Sequence, residues 1–240
     1  MSAVVELGPG VCAGFTERYD GGVSAEPFDT LNLGLGVPDD RDAVTENRRI
    51  AAKHLGFGPD RVVWMDQVHS ADVAVAEEPG VVGRVDGVVT TRTDLVLATL
   101  VADCLPVLAA DVHAGVIGAA HSGRLGTAHG VASALVAEMV RNGADPAGIS
   151  VALGPAICGY CYEVPPSMQE EAARRTPEAA SRTRQDTTGV DMRAAVTAQL
   201  REAGIGHIVA DDRCTLESPE FFSHRRDSRT GRFAGYIWWA

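Results

Sequence analysis

Three side chains in this sequence carry the donor atoms of a transition-metal site and stand in comparable positions. His69, Cys104 and His121 each come shortly after an apolar stretch. Two imidazoles and one thiolate suit zinc in its catalytic form, which keeps a fourth position open and lowers the pKa of a bound water to about 7. Asp103 and Asp72 are near enough along the chain to orient these ligands or to act as a general base.

The same atoms support a second chemistry that needs no metal. Cys104 would be a nucleophile, His121 its general base, and the backbone amides of residues 122–126 an oxyanion hole. A third interpretation assigns no chemistry, because buried cysteines are common small apolar residues and histidines at strand ends are often only hydrogen-bonded. Residue type and spacing do not separate these interpretations.

A second group of thiols lies further along the chain. Cys158-x-x-Cys161 has the spacing of a redox couple or of half a zinc knuckle, with Cys214 as a possible third partner. Because the sequence has no second C-x-x-C motif, two free thiols in a loop is the favoured interpretation. The five cysteines are an odd number without scaffold-like spacing, which indicates a reducing compartment and predicts a cytoplasmic protein.

The elements that must position these side chains are short apolar strands. Residues 95–102, 107–110 and 116–120 are apolar runs that end in polar residues, the pattern of buried strands. Further segments are predicted as strands at 61–65, 72–76, 86–91, 149–153, 207–210 and 233–238, as helices at 42–55, 127–142, 166–175 and 192–203, and as an exposed excursion at 176–188. Strands and helices alternate without a regular βαβ rhythm, which predicts one α/β domain with mixed sheets.

Charge and hydropathy exclude several classes of partner. Lys and Arg number 21 against 32 Asp and Glu, so the formal net charge is −11. This balance argues against nucleic acids and anionic membranes as partners, because phosphate contacts need clustered cations. No apolar run is long enough to span a bilayer, and residues 1–10 lack the pattern of a secretory leader. Single arginines, among them Arg48 and Arg124, can still bind a small anion.

Short segments along almost the whole chain occur in the order typical of one known family. They include Leu31-Asn32-Leu33-Gly34, Asn47-Arg48-Arg49, Gln67-Val68-His69, Asp86-Gly87, Ala102-Asp103-Cys104-Leu105-Pro106-Val107, Ala120-His121, Cys161-Tyr162-Glu163-Val164 and Thr230-Gly231-Arg232. In these segments the chain resembles the multi-copper polyphenol oxidase or laccase-domain family, also called the YfiH-type or peptidoglycan editing factor family. One departure is Arg124-Leu125, where the family usually has Trp-Arg.

The resemblance implies a fold, a metal and a reaction. The implied fold is an α/β/β/α sandwich, which we expect to occupy residues 1–240 as a single domain. The implied metal is zinc, with copper as the alternative, bound by His69, Cys104 and His121. The implied substrates are purine nucleosides (adenosine, inosine and 5′-methylthioadenosine) with phosphate, or adenosine alone in a deamination. We expect a monomer or weak homodimer.

Within this resemblance we predict residue roles. Cys104 and Asp103 are the predicted catalytic residues. The predicted substrate-binding residues are Asn32, Arg48, Gln67 and Arg124, with Arg48 holding phosphate. A laccase reaction is not predicted, because oxygen reduction needs several coppers held mostly by imidazoles, and the seven histidines here are scattered without an H-x-H pair.

Two further hypotheses stay open beside the zinc enzyme. One is a cysteine hydrolase that acts on peptidoglycan precursors, with Cys104 as nucleophile and His121 as base. The other is a metal-binding accessory protein that has lost catalysis through its altered loop at residues 124–125.

Overall fold

The strands of the protein form two large sheets and one small one. The structure is a computed structural model that describes residues 4–240, so the first three positions of the predicted domain lie outside the described residues. The strands are β1 (Val5–Gly8), β2 (Val11–Phe15), β3 (Val62–Trp64), β4 (Val73–Val75), β5 (Gly80–Val81), β6 (Gly87–Thr90), β7 (Val96–Val101), β8 (Leu105–Asp111), β9 (Val116–Ser122), β10 (Ser150–Leu153), β11 (Ala180–Arg182), β12 (Thr188–Val190), β13 (His207–Ala210) and β14 (Phe233–Trp239). The helices are α1 (Arg41–Leu55), α2 (Arg124–His129), α3 (Val131–Arg141), α4 (Pro166–Arg175), α5 (Met192–Glu202) and α6 (His224–Asp227).

Both large sheets mix parallel and antiparallel pairs. The first has six strands in the order β1-β2-β14-β7-β3-β5, and the second has six in the order β13-β10-β8-β9-β6-β4. Strands β11 and β12 form the small sheet. In the second sheet β8 and β9 are buried along their whole length, which explains why both are continuous apolar runs rather than alternating ones.

Three apolar layers show how the sheets and helices stack. The first sheet packs on the second through Leu97, Ile237, Leu108 and Ile117, all fully buried. The outer face of the second sheet is covered by α3 and α5, and the outer face of the first by α1. Each large aliphatic side chain buried in this way contributes about 1.5–3 kcal/mol. The order is helix, sheet, sheet, helix, so the predicted α/β/β/α sandwich is confirmed.

The predicted helix at 127–142 needs correction, and the predicted exposed excursion at 176–188 is largely exposed but contains a hairpin. The predicted helix at 127–142 is two helices, because Gly130 adopts a left-handed conformation (φ +82°) between α2 and α3, a conformation that glycine tolerates and that ends a helix. The predicted excursion at 176–188 folds back on itself, since β11 and β12 pair as an antiparallel hairpin. Strands β1 and β2 were not predicted; they extend the first sheet at its edge.

Within residues 4–240, no helix combines the length and the apolar character that crossing a bilayer requires.

Candidate metal centre and pocket

The pairing of two central strands brings two of the predicted ligands together. Strands β8 and β9 are antiparallel, with Leu105 opposite Ser122 and Pro106 opposite His121. Cys104 directly precedes β8, so it lies beside His121 near the end of β9. Position in a sheet is rigid, and a ligand held at a strand end is therefore placed more precisely than one on a free loop.

The third ligand, His69, comes from the loop before β4. Its backbone has a left-handed conformation (φ +63°), as does that of Asp103 (φ +86°). Such conformations cost about 1–3 kcal/mol for residues other than glycine and persist where the surroundings hold them. Hydrogen bonds hold the backbone of His69 in this conformation. The backbone amides of Val68 and Ser70, on either side of His69, both donate to the Asp86 carboxylate (3.1 and 2.6 Å).

The carboxylate that orients the site is Asp86. Its Oδ1 lies 2.8 Å from Nδ1 of His121, which leaves Nε2 of the imidazole free to bind a metal. Asp86 is fully buried and directly precedes β6, which pairs with β9. The expectation that Asp72 orients the ligands needs correction: its side chain is exposed, and its backbone carbonyl accepts hydrogen bonds from the amides of Asp86 and Gly87.

The three donor atoms converge closely enough to bind one metal ion. The donor atoms of His69, Cys104 and His121 all lie within 4.8 Å of one another, and Cys104 Sγ is 3.8 Å from His69 Nε2. Tetrahedral zinc sets sulfur and nitrogen ligands roughly 3.6 Å apart. Gly123 allows this approach, because a Cβ at that position would lie 2.5 Å from His69 Cδ2 and 3.1 Å from Cys104 Sγ. The residues therefore fit a zinc ion.

The electrostatics of the site favour a thiolate. Burial by itself would raise the pKa of the Cys104 thiol, but the neighbouring His121 and His69 outweigh it and lower that pKa to about 6. Burial would lower the pKa of His121, but the Cys104 charge and the Asp86 hydrogen bond raise it to about 9. Asp86 has its pKa lowered to about 2, because hydrogen bonds from His121, Ser70 and Val68 exceed the effect of burial. A thiolate is the form that binds metals.

This centre forms part of the wall of a pocket. The cavity has a volume of about 510 Å³, within the usual range for small-molecule sites. Its walls combine apolar side chains with a few polar and cationic groups: Gly34, Gly36, Val37, Met65, Asp66, Gln67, His69, Leu100, Val101, Ala102, Cys104, His121, His224 and Arg232. A ligand in this pocket would therefore contact the metal ligands and the side chains of His224 and Arg232 together.

Comparison with known proteins places the chain in a family. The family described as multi-copper polyphenol oxidoreductase laccase matches residues 12–240. The chain belongs to this family. Similar proteins include one named purine nucleoside phosphorylase from Streptomyces coelicolor, 52% identical over 228 residues and covering 94% of each chain. Another protein of that name, from Mycobacterium bovis, is 46% identical over 225 residues, covering 93% of this chain and 90% of its own.

Solved structures of the family share the fold. YlmD from Geobacillus stearothermophilus superimposes with a TM-score of 0.90 at 37% identity, covering 96% of this chain and 92% of its own. A Bacillus licheniformis protein named YfiH superimposes with a TM-score of 0.89 at 33% identity, covering 96% and 93%. The laccase-type family name suggests a metal. Among residues 4–240 two clusters have ligands for one, and neither has more than two imidazoles.

Two predicted substrate-binding residues, Asn32 and Arg48, are not among the residues that line the pocket. Asn32 is fully buried, and its Oδ1 accepts hydrogen bonds from the amides of Gly34 (3.0 Å) and Arg232 (2.8 Å). It therefore positions two residues that line the pocket. The guanidinium of Arg48 stacks on Trp64, 3.7 Å from the ring centroid, and its Nε donates to the Leu33 carbonyl. Direct substrate contact by Asn32 or Arg48 stays a prediction.

The other two predicted substrate-binding residues differ in position. Gln67 lines the pocket, and its side-chain amide exchanges two hydrogen bonds with the Leu100 backbone (2.7 and 2.8 Å). Arg124 begins α2 and forms an ion pair with Glu171 of α4, and it is not among the residues that line the pocket. Their substrate contacts also stay predictions.

Asp103 supports its neighbour Cys104. It is 8% exposed, and its two carboxylate oxygens accept hydrogen bonds from Thr215 Oγ1 and from the Arg225 backbone amide, both at 2.7 Å. These bonds hold the turn that delivers Cys104 to the site. The predicted catalytic role of Asp103 stays a prediction.

Sequence reasoning missed Asp86, Arg232 and His224 as site residues. Asp86 and Arg232 stood within segments that carried the family resemblance, but nothing in residue spacing indicated that Asp86 would reach His121 or that Arg232 would face the pocket. Burial lowers the pKa of the Arg232 guanidinium, and the negative charges of Cys104 and Asp103 oppose that shift. Arg232 therefore lies within the electrostatic reach of the metal ligands.

Proposed function

We propose that this protein catalyses the phosphorolysis of purine nucleosides in the pocket that contains His69, Cys104 and His121. The observation that carries the proposal is this pocket, which is lined by a metal-ligand set and by a half-buried arginine, in a chain 52% identical to a protein named purine nucleoside phosphorylase. In the reaction a phosphate oxygen forms a bond to C1′ of the ribose as the bond from C1′ to the purine nitrogen breaks.

Zinc is the metal that we propose for the site, held by the two imidazoles and the thiolate. When bound, it would supply a Lewis acid that stabilises negative charge on an oxygen of phosphate or substrate. His121 would hold its orientation through Asp86, and His69 through the backbone amides bound to the same carboxylate. Asp103 would act as a positioning residue for Cys104, because both of its oxygens already accept hydrogen bonds.

Arg232 is the residue that we propose for phosphate binding. Its Nη1 donates to the carbonyls of Thr230 and Gly231. These two hydrogen bonds fix the position of the side chain and the orientation of its planar guanidinium. A guanidinium binds phosphate oxygens in a bidentate manner, and burial strengthens such a charge-assisted pair. Asn32 fixes the backbone of the same residue. His224, the first residue of α6, also lines the pocket and adds a second donor to its wall.

The test follows release of free base from adenosine, inosine and 5′-methylthioadenosine, with and without phosphate. Zinc and copper are quantified in the same preparation. Wild-type protein should hold zinc and release base only with phosphate. Cys104→Ala should reduce turnover by about 10³-fold, because a metal contributes several kcal/mol to transition-state stabilisation. Arg232→Gln should raise the KM for phosphate more than the KM for nucleoside.

Three outcomes would each contradict a different part of this proposal. Full activity in metal-free protein would overturn the zinc mechanism. Inosine formed from adenosine without phosphate would show a deaminase activity at the same site. Bound zinc without turnover of any purine nucleoside would support the metal-binding accessory protein instead.

A second candidate is a cysteine hydrolase that acts on peptidoglycan precursors. The observation that favours it is a chain of side-chain contacts, from the Cys104 thiol to the His121 imidazole and from there to the Asp86 carboxylate. In a cysteine hydrolase these three groups would serve as nucleophile, general base and orienting group. This candidate requires an acyl-enzyme on Cys104 during turnover by metal-free protein. Mass spectrometry of the intact protein, quenched during turnover, would detect that adduct, and its absence would reject this candidate.

A further inference from the structure

A second cluster of potential metal ligands lies outside the pocket. The ligand atoms of Cys158, Cys161, Cys214 and Glu217 all lie within 4.8 Å of one another. Cys214 is buried, Cys158 and Cys161 are half-buried, and Glu217 is exposed. The sulfur of Cys214 accepts a hydrogen bond from the backbone amide of Cys158 (3.3 Å). Three sulfurs and a carboxylate thus converge from two segments that are more than fifty residues apart in the chain.

The two segments repeat the same turn. In the first, the amides of Cys161 and Tyr162 both donate to the carbonyl of Cys158 (2.9 and 3.0 Å). In the second, the amides of Glu217 and Ser218 both donate to the carbonyl of Cys214 (3.1 and 2.9 Å). Each turn therefore places the side chains of its first and fourth residues on the same side of the turn. The missing second C-x-x-C motif is therefore replaced by Cys214-x-x-Glu217.

The two turns are joined directly by the backbone. Ala156 and Cys214 form an isolated parallel bridge, and the Thr215 amide donates to the Ala156 carbonyl (3.2 Å). The bridge fixes the relative position of both ligand pairs before any metal binds. Preorganised ligands lose little conformational freedom on binding, which favours affinity.

Without a metal the cluster is electrostatically unfavourable for thiolates. Burial and the neighbouring sulfurs of Cys158 and Cys214 raise the pKa of Cys161 to about 12. The guanidinium of Arg184 donates to Cys161 Sγ (2.8 Å) and pairs with Glu217 (2.6 Å). The guanidinium of Arg184 thus already contacts two of the four potential ligands, Cys161 and Glu217.

We propose that Cys158, Cys161, Cys214 and Glu217 bind a structural zinc ion. Three thiolates and one carboxylate complete a tetrahedral shell, the closed coordination typical of structural zinc sites. Tetrahedral zinc with sulfur ligands sets the sulfurs roughly 3.8 Å apart, so the side chains need move by at most about 1 Å. Thiolate-rich sites of this geometry select zinc over hard cations such as magnesium. Arg184 would partly neutralise the net negative charge of the loaded site.

This zinc ion would hold the loop that carries Cys104. The amide of Ile157, next to Cys158, donates to the Asp103 carbonyl (3.0 Å). Thr215, next to Cys214, donates through its hydroxyl to the Asp103 carboxylate (2.7 Å). Each half of the cluster is thus one residue from a hydrogen bond to Asp103, which precedes the pocket ligand Cys104. The structural ion would secure both contacts.

The test counts metal in Cys104→Ala protein, which lacks the pocket thiolate, so the result does not depend on activity towards nucleosides. After dialysis against a weak chelator, this protein should retain one zinc ion per chain. Replacing zinc with cobalt should produce the intense thiolate-to-cobalt absorption and the visible bands of a tetrahedral site. Adding Cys161→Ser should abolish both the zinc ion and these bands. Cys12→Ser, on a separate strand, is the matched control and should change neither.

A milder variant covers the case in which loss of a thiol prevents folding. Glu217→Gln alters the one exposed ligand and should weaken cobalt binding by at least about 10-fold, the lower bound for disturbing ligand shells. Cys104→Ala protein without zinc, or one whose cobalt bands survive Cys161→Ser, would overturn the proposal. A disulfide between Cys158 and Cys161 in protein purified under reducing conditions would also overturn it.

Discussion

The two thiol clusters of this protein use similar atoms in opposite surroundings. The cluster of His69, Cys104 and His121 lies at strand ends and lines a pocket, and three ligands leave one coordination position open. The cluster around Cys161 lies on two hydrogen-bonded turns and offers four ligands. An open position suits catalysis and a closed shell suits structure. The comparison shows that the elements carrying a ligand set, as well as its residue types, indicate its function.

The electrostatic contrast follows from the neighbours of each thiol. Cys104 has two imidazoles beside it, and these lower its pKa to about 6 despite burial. Cys161 has burial and two other thiols beside it, and these raise its pKa to about 12 even though Arg184 donates to its sulfur. A cationic or hydrogen-bonding neighbour stabilises a thiolate, whereas an apolar or anionic one disfavours it. The same side chain is therefore ionised at neutral pH in one cluster and protonated in the other.

Thiol alkylation should show the largest difference between the clusters. In metal-free protein at pH 7, Cys104 should react with iodoacetamide about 100-fold faster than Cys161. The difference in thiolate fraction favours Cys104 by roughly 10⁵, and the lower nucleophilicity of a low-pKa thiolate offsets about 10³ of this. The rate at Cys104 should rise between pH 5 and 7 and then level off, because the thiolate is fully formed above its pKa.

Peptide mapping by mass spectrometry would measure both rates in one sample. Cys12 is an internal comparison, since burial raises its pKa as well. A reaction midpoint at Cys104 near that of an ordinary thiol would contradict the effect assigned to His121 and His69.

Removing the orienting carboxylate should weaken the pocket site by an intermediate amount. Asp86→Asn should reduce zinc affinity by about 10–100-fold, the usual effect of losing the hydrogen-bond partner of a metal-binding histidine. Asp72→Asn is the matched control and should change affinity little, because the Asp72 side chain is exposed. Competition with a chromophoric chelator would measure both constants. Equal effects of the two substitutions would contradict the role of Asp86.

The same variant makes a prediction about pH and stability. The pKa of Asp86 lies near 2 in the folded protein, below its ordinary value of 3.8. A carboxylate with a lowered folded pKa stabilises the fold above its ordinary pKa and loses this effect as pH falls towards the folded value. The difference in unfolding free energy between wild type and Asp86→Asn should therefore be full between about pH 4 and pH 8, below the pKa of His121, and shrink towards pH 2. Urea titrations across this range would measure it.

Loss of the hydrogen bond from Thr215 to Asp103, which links the two clusters, should have the smallest effect. Thr215→Val removes the hydroxyl that donates to the buried Asp103 carboxylate and should lower the free energy of unfolding by about 1–3 kcal/mol. Thr99→Val is the control: among the described residues the buried Thr99 hydroxyl has no hydrogen-bond partner, so its removal should be neutral or stabilising. Chemical denaturation of both variants would test the pair. Equal destabilisation would show that the hydroxyl of Thr215 does not support the Asp103 turn.

Local patterns in the sequence predicted much of the fold. The apolar runs at 95–102, 107–110 and 116–120 correspond to β7, β8 and β9, because a strand buried on both faces must be continuously apolar. The predicted helix at 166–175 has the same bounds in the structure. The predicted helix at 127–142 was wrong in its interior, since Gly130 is compatible with both a helix and a left-handed break. Packing of α2 against α4 and of α3 against the sheet decides between them.

The sequence by itself determined which residues have metal-binding chemistry, because donor atoms belong to residue types and apolar runs place them at strand ends. It did not determine their partners. The contact of Asp86 with His121 depends on the pairing of β6 with β9, and the contact of Cys158 with Cys214 depends on a bridge between distant turns. The orientation of Arg232 towards the pocket depends on Asn32, 200 residues away in the chain. Only the tertiary structure decides such contacts, since side chains remote in sequence meet through strand register and packing, which local patterns do not encode.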